Sequence, residues 1–348
     1  MKPFQFILFL SLLILFVSCD NDSNTKSDRT IHIIGSERNS SNVYIAKYWK
    51  DGKVLNLSDG SKNEFTTDVF VYGNDVYVAG FERNIDGTNQ IAKYWKNGVE
   101  VLLGDGTYDT SASAIVVEGN DVYVSGYKKI NSNNPSINKA IYWKNGVEYL
   151  LEDDGNSTTS ISMVKKGEDI FIAGTAIQFT PNLVLRSRYW KNGILVNLEG
   201  DETNFSQAFG LDINDNGDVL VCGLTGDYAK YWTNGVGTDL ESDYRAKAIT
   251  ISASGNDIHI AGIETKPNTT LGIAKYWKNG VGTNLTNGEN FAGITELKVF
   301  DNDVYVTGYE TTRSTGYEIA KYWKNGVEKK LTDGTSNCRI NGIFIQKL

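Results

Sequence analysis

The sequence predicts an all-β fold, a seven-bladed β-propeller of four-stranded antiparallel blades, on three observations. All seven tryptophans fall in one recurring motif, a second motif ending in glycine recurs between them, and the two chain ends carry complementary parts of one repeat. Repetition at this period, with no helical periodicity in any segment, points to a radial array of small sheets.

The tryptophan motif reads Tyr48-Trp49, Tyr94-Trp95, Tyr142-Trp143, Tyr189-Trp190, Tyr231-Trp232, Tyr276-Trp277 and Tyr322-Trp323, with tryptophan spacings of 46, 48, 47, 42, 45 and 46 residues. Lys-Asn-Gly or a close variant follows each Trp, as in Lys50-Asp51-Gly52 and Thr233-Asn234-Gly235. Asn-Gly and Asp-Gly accept the positive φ angles of a type I′ turn, so each marks a tight hairpin. The second motif runs Asn74 to Gly80, Asn120 to Gly126, Glu168 to Gly174, Gly217 to Gly223, Asn256 to Gly262 and Asn302 to Gly308. An extended β-branched stretch such as Ser113 to Val117 precedes each one. One repeat therefore holds four short strands, A to D, and four strands in about 45 residues make a propeller blade.

The first repeat has strand B, Ile31 to Gly35, but only polar residues before it, so its strand A is missing. After the seventh strand D the chain continues through Cys338 to Ile345, which reads as a spare strand A. The C-terminal strand is expected to complete blade 1, because closure pairs two sheet edges that would otherwise stay open. The propeller is placed at residues 30–348 and is expected to be monomeric.

Residues 1–18 read as an export signal: Lys2 supplies the positive start, Phe4 to Val17 the apolar run, and Ser18 a small residue before Cys19. The apolar run is short for a membrane span, which needs about 20 residues. Phe16-Val17-Ser18-Cys19 resembles the lipobox of bacterial lipoproteins, with Phe16 in place of the usual Leu. That resemblance implies cleavage before Cys19, acylation of Cys19 and attachment to a lipid bilayer. Residues 19–29 are polar and form a solvated tether. Acidic residues behind the lipidated cysteine resemble the surface-export signal of Bacteroidota, whereas Asp directly after it implies inner-membrane retention in enterobacteria. The expected location is the outer membrane, with a surface-exposed and a periplasmic position both left open.

Without residues 1–18 the chain carries 33 basic and 42 acidic residues, a net charge of −9. Nucleic-acid binding needs a basic footprint, so that class is excluded. The remaining cysteines, Cys222 and Cys338, fall in blades 5 and 1, too far apart for a disulfide. Two histidines cannot build a three-histidine zinc site, and the strand positions of both argue against a His-based triad. His32 and His259 share the strand-B position of Tyr77, Tyr123, Phe171, Leu220 and Tyr305, which is a position for side-chain packing. Asp212-x-Asn214-x-Asn216-Gly217 imitates the start of a calcium loop, but Gly223 stands where the bidentate Glu belongs, so a plain turn is preferred. No cofactor is expected.

Strings such as Tyr231 to Leu240 and Leu211 to Val221 are similar to extracellular HAF-type repeats, which alternate a Trp-x-Asn-Gly-…-Leu hairpin with an Ile-Asn-x-x-Gly-x-Val hairpin. The likeness extends over all seven blades. The His-Ala-Phe signature itself is missing, with Ala-Lys-Tyr or a variant before Trp. The resemblance implies a propeller and no particular activity.

Topology narrows the search for a site. The A–B and C–D turns share one face of the disc and are tight and uniform; the B–C and D–A loops share the other and vary. Varied loops with aromatics and charges fit recognition. The candidate ligand-binding residues on that face are Tyr108, Asp109, Tyr127, Phe205, Gln207, Tyr244, Arg245 and Arg339. A non-catalytic platform for a glycan or an envelope protein is the preferred expectation. The alternative is a carbohydrate-active enzyme, a glycoside hydrolase or lyase at the channel mouth, for which Asp109 and Glu64 are the nearest carboxylates.

Overall fold

The computed structural model describes residues 29–84, 87, 90–130, 136–179, 182–199, 205–269, 271–312 and 315–348. The export signal, Cys19 and most of the tether lie outside the described residues. Strands alone build the fold: seven four-stranded antiparallel sheets stand around one axis, and no helix occurs among the described residues. Strand A of blade 1 is Cys338–Lys347, followed in space by strand B (Arg29–Arg38), strand C (Tyr44–Lys50) and strand D (Lys53–Asn56). The expected closure is therefore present, with Ile343 opposite Ile33 and Ile345 opposite Ile31. Strands A of blades 2 to 7 are Asn63–Tyr72, Thr110–Glu118, Ser157–Lys166, Ser206–Ile213, Arg245–Ser254 and Phe291–Phe300.

The turn chemistry follows the sequence closely. Asn97, Asn145, Asn192, Asn234, Asn279 and Asn325 adopt φ angles of 51–52°, Asp51 one of 49°, and a glycine at 80–89° follows each, as a type I′ hairpin requires. Each asparagine then does a second job. Asn97 Oδ1 accepts the Val76 N–H at 2.9 Å while its amide donates to Asp75 at 2.7 Å, and the same clasp recurs in the next five blades. The clasp ties the C–D turn to the start of strand B and accounts for the aspartates repeated in the A–B turns. Blade 1 supports this reading by its exception: Thr30 replaces the aspartate, and Asp51, which needs no acceptor for an amide, replaces the asparagine.

Each tryptophan packs between blades. Seven buried clusters join neighbouring sheets, and each holds one Trp set against the preceding blade, as Trp143 sits with Tyr77 and Ala79, and Trp49 with Tyr305. A buried indole N–H needs an acceptor. Trp190, Trp232 and Trp277 donate to the carbonyls of Glu152, Glu199 and Glu241, whose carboxylates also accept a strand-D N–H of the same following blade.

In blades 2, 6 and 7 the lysine two residues before Trp is buried as well. Lys93 is fully enclosed, and its ammonium meets Glu82 at 2.6 Å, Glu64 at 3.4 Å and Glu100. Lys275 meets Glu264 at 2.9 Å, while Lys321 binds Glu310 and Glu328. The carboxylates of Glu64, Glu82 and Glu100 gather closely enough to hold a cation, and the cation they hold is this ammonium. Burial pushes the Glu82 carboxyl up, but hydrogen bonds from Lys62 and Lys93 outweigh it and leave the group below its ordinary range. Breaking such a pair leaves a buried charge alone, which costs about 3–5 kcal/mol.

Candidate functional site

The inner strands carry a device that repeats around the axis. Each strand A has one extra residue at mid-length, a β-bulge, opposite the step from Ile34 to Gly35 in strand B or its counterpart: Asn341, Thr67, Ser113, Ile161, Phe209, Ile249 and Thr295 in blades 1 to 7. A bulge bends its strand and re-aims a side chain. The bend presses a strand-A carbonyl onto strand B, where the last residue of the second sequence motif lies. A Cβ on Gly126 would sit 2.0 Å from the Ser111 oxygen, one on Gly174 1.9 Å from Thr159, and one on Gly80 2.1 Å from Phe65. Those glycines are required by close approach rather than by backbone angle.

All seven bulge residues line one axial cavity of about 1040 Å³. They also sort by character. Thr295, Asn341, Thr67 and Ser113, from blades 7, 1, 2 and 3, form a contiguous polar arc. Ile161, Phe209 and Ile249, from blades 4, 5 and 6, form the facing apolar arc. The cavity reaches the strand ends at Tyr44, Glu318 and Arg339 and the loop residues Gly316 and Asn337, so it opens on the face of the B–C and D–A loops. At that mouth Phe65 stacks on Phe81 at 5.1 Å and meets Tyr44 at a tilt, 4.9 Å between ring centres.

Besides Glu318 and Arg339 at the mouth, four charged side chains of the inner strands line the same cavity: Asp68 and Glu296 one residue past their bulges, and Asp212 and Lys298 three residues past theirs. Asp68 accepts the N–H groups of Val69 and of Ile115 in the next blade; Asp212 accepts those of Ile213 and Ala253. The blade-to-blade bonds cap the free edges of neighbouring inner strands, which would otherwise face the channel unpaired. Lys298 lies 3.3 Å from Glu296, and these two side chains keep 40% and 20% of their surface open to the channel. Burial and then the charge of Glu296 push the Asp68 carboxyl up to about 6, and burial raises Asp212 as well. Burial alone would lower the Lys298 ammonium, but Glu296, Asp68 and Asp212 together hold it above its ordinary value.

Of the eight residues chosen from the sequence, Tyr127 and Arg339 line the cavity. Arg339 stacks on Tyr309 at 4.7 Å and forms an ion pair with Glu318; Gln90 Nε2 donates to the Tyr127 hydroxyl at 3.5 Å. The other six stand outside it. Tyr108 is exposed beneath the Lys128 ammonium, and Asp109 accepts the Gln90 N–H and faces Lys129 at 3.7 Å. Phe205 is exposed, while Gln207 pairs with Leu224 inside its sheet. Tyr244 is exposed with its N–H on Glu264, and Arg245 pairs with Asp227 at 2.8 Å. Asp109 and Glu64 are likewise both absent from the cavity wall.

The structure thus adds Tyr44, Phe65, Phe81 and the four channel charges. One signal for the aromatics lies in the residue after the strand-B glycine, which is Phe81, Tyr127 and Tyr309 in three blades but Ser36, Thr175, Leu224 and Ile263 in the others. His32 Nδ1 meets the Tyr48 hydroxyl and His259 Nδ1 that of Tyr276, each at 2.7 Å, and burial lowers both imidazoles, as suits neutral side chains packed in a sheet. Cys222 and Cys338 are free and buried, and burial raises both thiols, Cys338 to about 12, so neither is a ready nucleophile. The Asp212 stretch is a turn: Asn214 closes on Asp218, while Asp212 belongs to the channel wall.

No family model matches the chain, and no curated protein matches it. Among solved structures it is similar to a puromycin-hydrolysing peptidase of Mycobacterium tuberculosis, at 9% identity and a TM-score of 0.48, over 76% of this chain and 53% of that one. A Pyrococcus horikoshii acylaminoacyl peptidase is similar at 12% identity and a TM-score of 0.43, over 78% and 53%. Kuenenia stuttgartiensis hydrazine synthase is similar at 11% identity and a TM-score of 0.47, over 91% and 46%. The chain spans about half the length of each. Likenesses at this level carry no argument about activity.

Proposed function

We propose that this chain is a lipid-anchored binding protein of the bacterial cell envelope, whose propeller takes a ligand into its axial channel from the face of the B–C and D–A loops. The observation that carries the reading is the cavity of about 1040 Å³, which all seven inner strands line and which reaches the loops on that face alone. Binding sites are concave, largely apolar and furnished with a few placed polar groups, and this cavity has that composition. The uniform face is occupied by the asparagine clasps.

Exchange at the mouth is expected to weaken binding of whatever glycan or envelope protein the full-length chain captures in an array and pull-down screen. Tyr127→Ala and Arg339→Ala should each cost more than about 1 kcal/mol if they contribute a hot spot, while Lys96→Ala in a C–D turn should change little. A ligand weakened only by the turn variant would place the site on the opposite face.

The anchor rests on Ser18-Cys19. Cys19→Ala is expected to abolish incorporation of a fatty-acid analogue and to release the protein or leave its signal uncleaved. Equal labelling of the variant would remove the lipoprotein assignment.

Catalysis is a second reading with one observation in its favour: Asp68, whose carboxyl burial and the charge of Glu296 push up, shares the channel with Glu296. Oligosaccharide turnover that Asp68→Asn abolishes would replace binding with hydrolysis or elimination.

A further inference from the structure

The division of the channel wall into two arcs defines the chemistry of an occupant. On the apolar side Phe209 is half-buried and belongs to none of the inter-blade clusters, with Ile161 and Ile249 beside it. The opposite side offers Thr295, Asn341, Thr67 and Ser113 at the bulges, with Asp68 and Glu296 immediately behind two of them. The Thr67 hydroxyl is enclosed without a hydrogen-bond partner in the protein. The wall is therefore two-faced at one level of the channel, and a matching ligand is two-faced too.

Three classes of occupant fit poorly. A wholly apolar molecule would strip water from Asp68, Glu296 and Lys298 without replacing its hydrogen bonds, which leaves charged groups unsatisfied. An anion would meet three carboxylates against one ammonium already engaged with Glu296. A peptide strand would bring one carbonyl acceptor for every N–H donor, and Glu296 and Asp212 can pair with the donors alone. A pyranose ring has the complementary form: C–H groups on one face, which the negative face of an aromatic ring attracts, and hydroxyls around its edge that donate and accept. Resting on the reading that the channel is the binding site, we infer that it receives a pyranose unit of an uncharged glycan, its C–H face on Phe209 between Ile161 and Ile249 and its hydroxyls toward Thr67, Asn341, Asp68 and Glu296.

The test uses the full-length chain in detergent and titrates it calorimetrically with methyl hexopyranosides and pentopyranosides and with neutral oligosaccharides of two to six units. Acyclic alditols of equal carbon number are the control, since they carry the hydroxyls without a rigid apolar face. N-phenyl-1-naphthylamine and an uncharged hexapeptide mixture represent the other classes. Binding is expected for pyranosides and not for alditols. Phe209→Ala and Phe209→Leu should weaken it at least about tenfold, or 1.4 kcal/mol, and Thr67→Val and Asp68→Asn should weaken it as well. Phe209→Leu keeps an apolar side chain of similar bulk and Thr67→Val keeps the shape, so a folding defect in one variant leaves the others to decide. Two results overturn the inference and leave the channel reading standing: binding of the naphthylamine or the peptides alone with loss in Phe209→Ala, and alditols binding as well as pyranosides. Pyranoside binding indifferent to Phe209, Thr67 and Asp68 but weakened by Tyr127→Ala overturns it in favour of the mouth. Pyranoside binding indifferent to both sets of variants overturns the channel reading itself.

Discussion

Removal of Asn341 to Leu348 is expected to unfold the ring rather than trim it. These residues supply most of strand A of blade 1, and through it the contact between the first and last blades. Ile343 and Ile345 leave the cluster that also holds Ile33, Trp49 and Tyr305, so the deletion opens the seam between blades 7 and 1. Each buried isoleucine is worth about 1.5–3 kcal/mol of transfer free energy, and each lost strand hydrogen bond about 0.5–1.5 kcal/mol net. Together they approach the whole stability of an ordinary domain, about 5–15 kcal/mol. Asn341 also donates to the Thr66 carbonyl of blade 2 at 2.6 Å, so a second seam loosens with the first. Strand B of blade 1 would then present an open edge, which invites association. Thermal unfolding followed by circular dichroism, with size-exclusion chromatography at low temperature, checks this. A truncated chain that melts as the parent does and stays monomeric would show that the ring does not depend on its C-terminal strand.

The blade count, the closure and the two faces were legible in the sequence because each rests on local chemistry repeated seven times. Asn-Gly needs positive φ wherever it occurs, and a tryptophan in a fixed register needs a buried seat. The inner wall was not legible for the opposite reason. Its bulges are occupied by Asn341, Thr67, Ser113, Ile161, Phe209, Ile249 and Thr295, residue types with nothing in common, and no turn residue marks the extra position. Only the partner glycine recurs, and repetition alone does not say that it yields to a carbonyl from another strand. Sequence reasoning therefore looked for the site in the loops, where Tyr108, Tyr244 and Arg245 stand exposed around the rim. Tyr127 and Arg339 were within its reach because both sit where a loop meets a strand end. Asp68 and Lys298 read as ordinary strand residues until the ring brings blades 2 and 7 to either side of Gly342.

Gly126→Ala is expected to be among the most damaging single-methyl changes in the protein. The new Cβ would lie 2.0 Å from the Ser111 carbonyl oxygen and 2.9 Å from Cζ3 of Trp143. Neither neighbour can withdraw cheaply. The carbonyl belongs to an inner strand held by its bulge, and Trp143 is buried among residues of two blades. Overfilling a well-packed interior costs about 1–3 kcal/mol and more where backbone must move, so a loss above about 3 kcal/mol is expected. Gly119→Ala separates this cause from the general entropy of glycine. Gly119 has a φ of 60° and nothing within 4 Å of an added Cβ, so only the strain of a left-handed alanine applies, about 1–2 kcal/mol. Chemical denaturation of the two variants gives the comparison directly. Equal losses would mean that the strand-B glycines serve backbone freedom, and that the bulges do not force the close approach. A larger loss at Gly126, matched by Gly174→Ala in the next blade, would tie the repeated glycine to the bulge that shapes the channel.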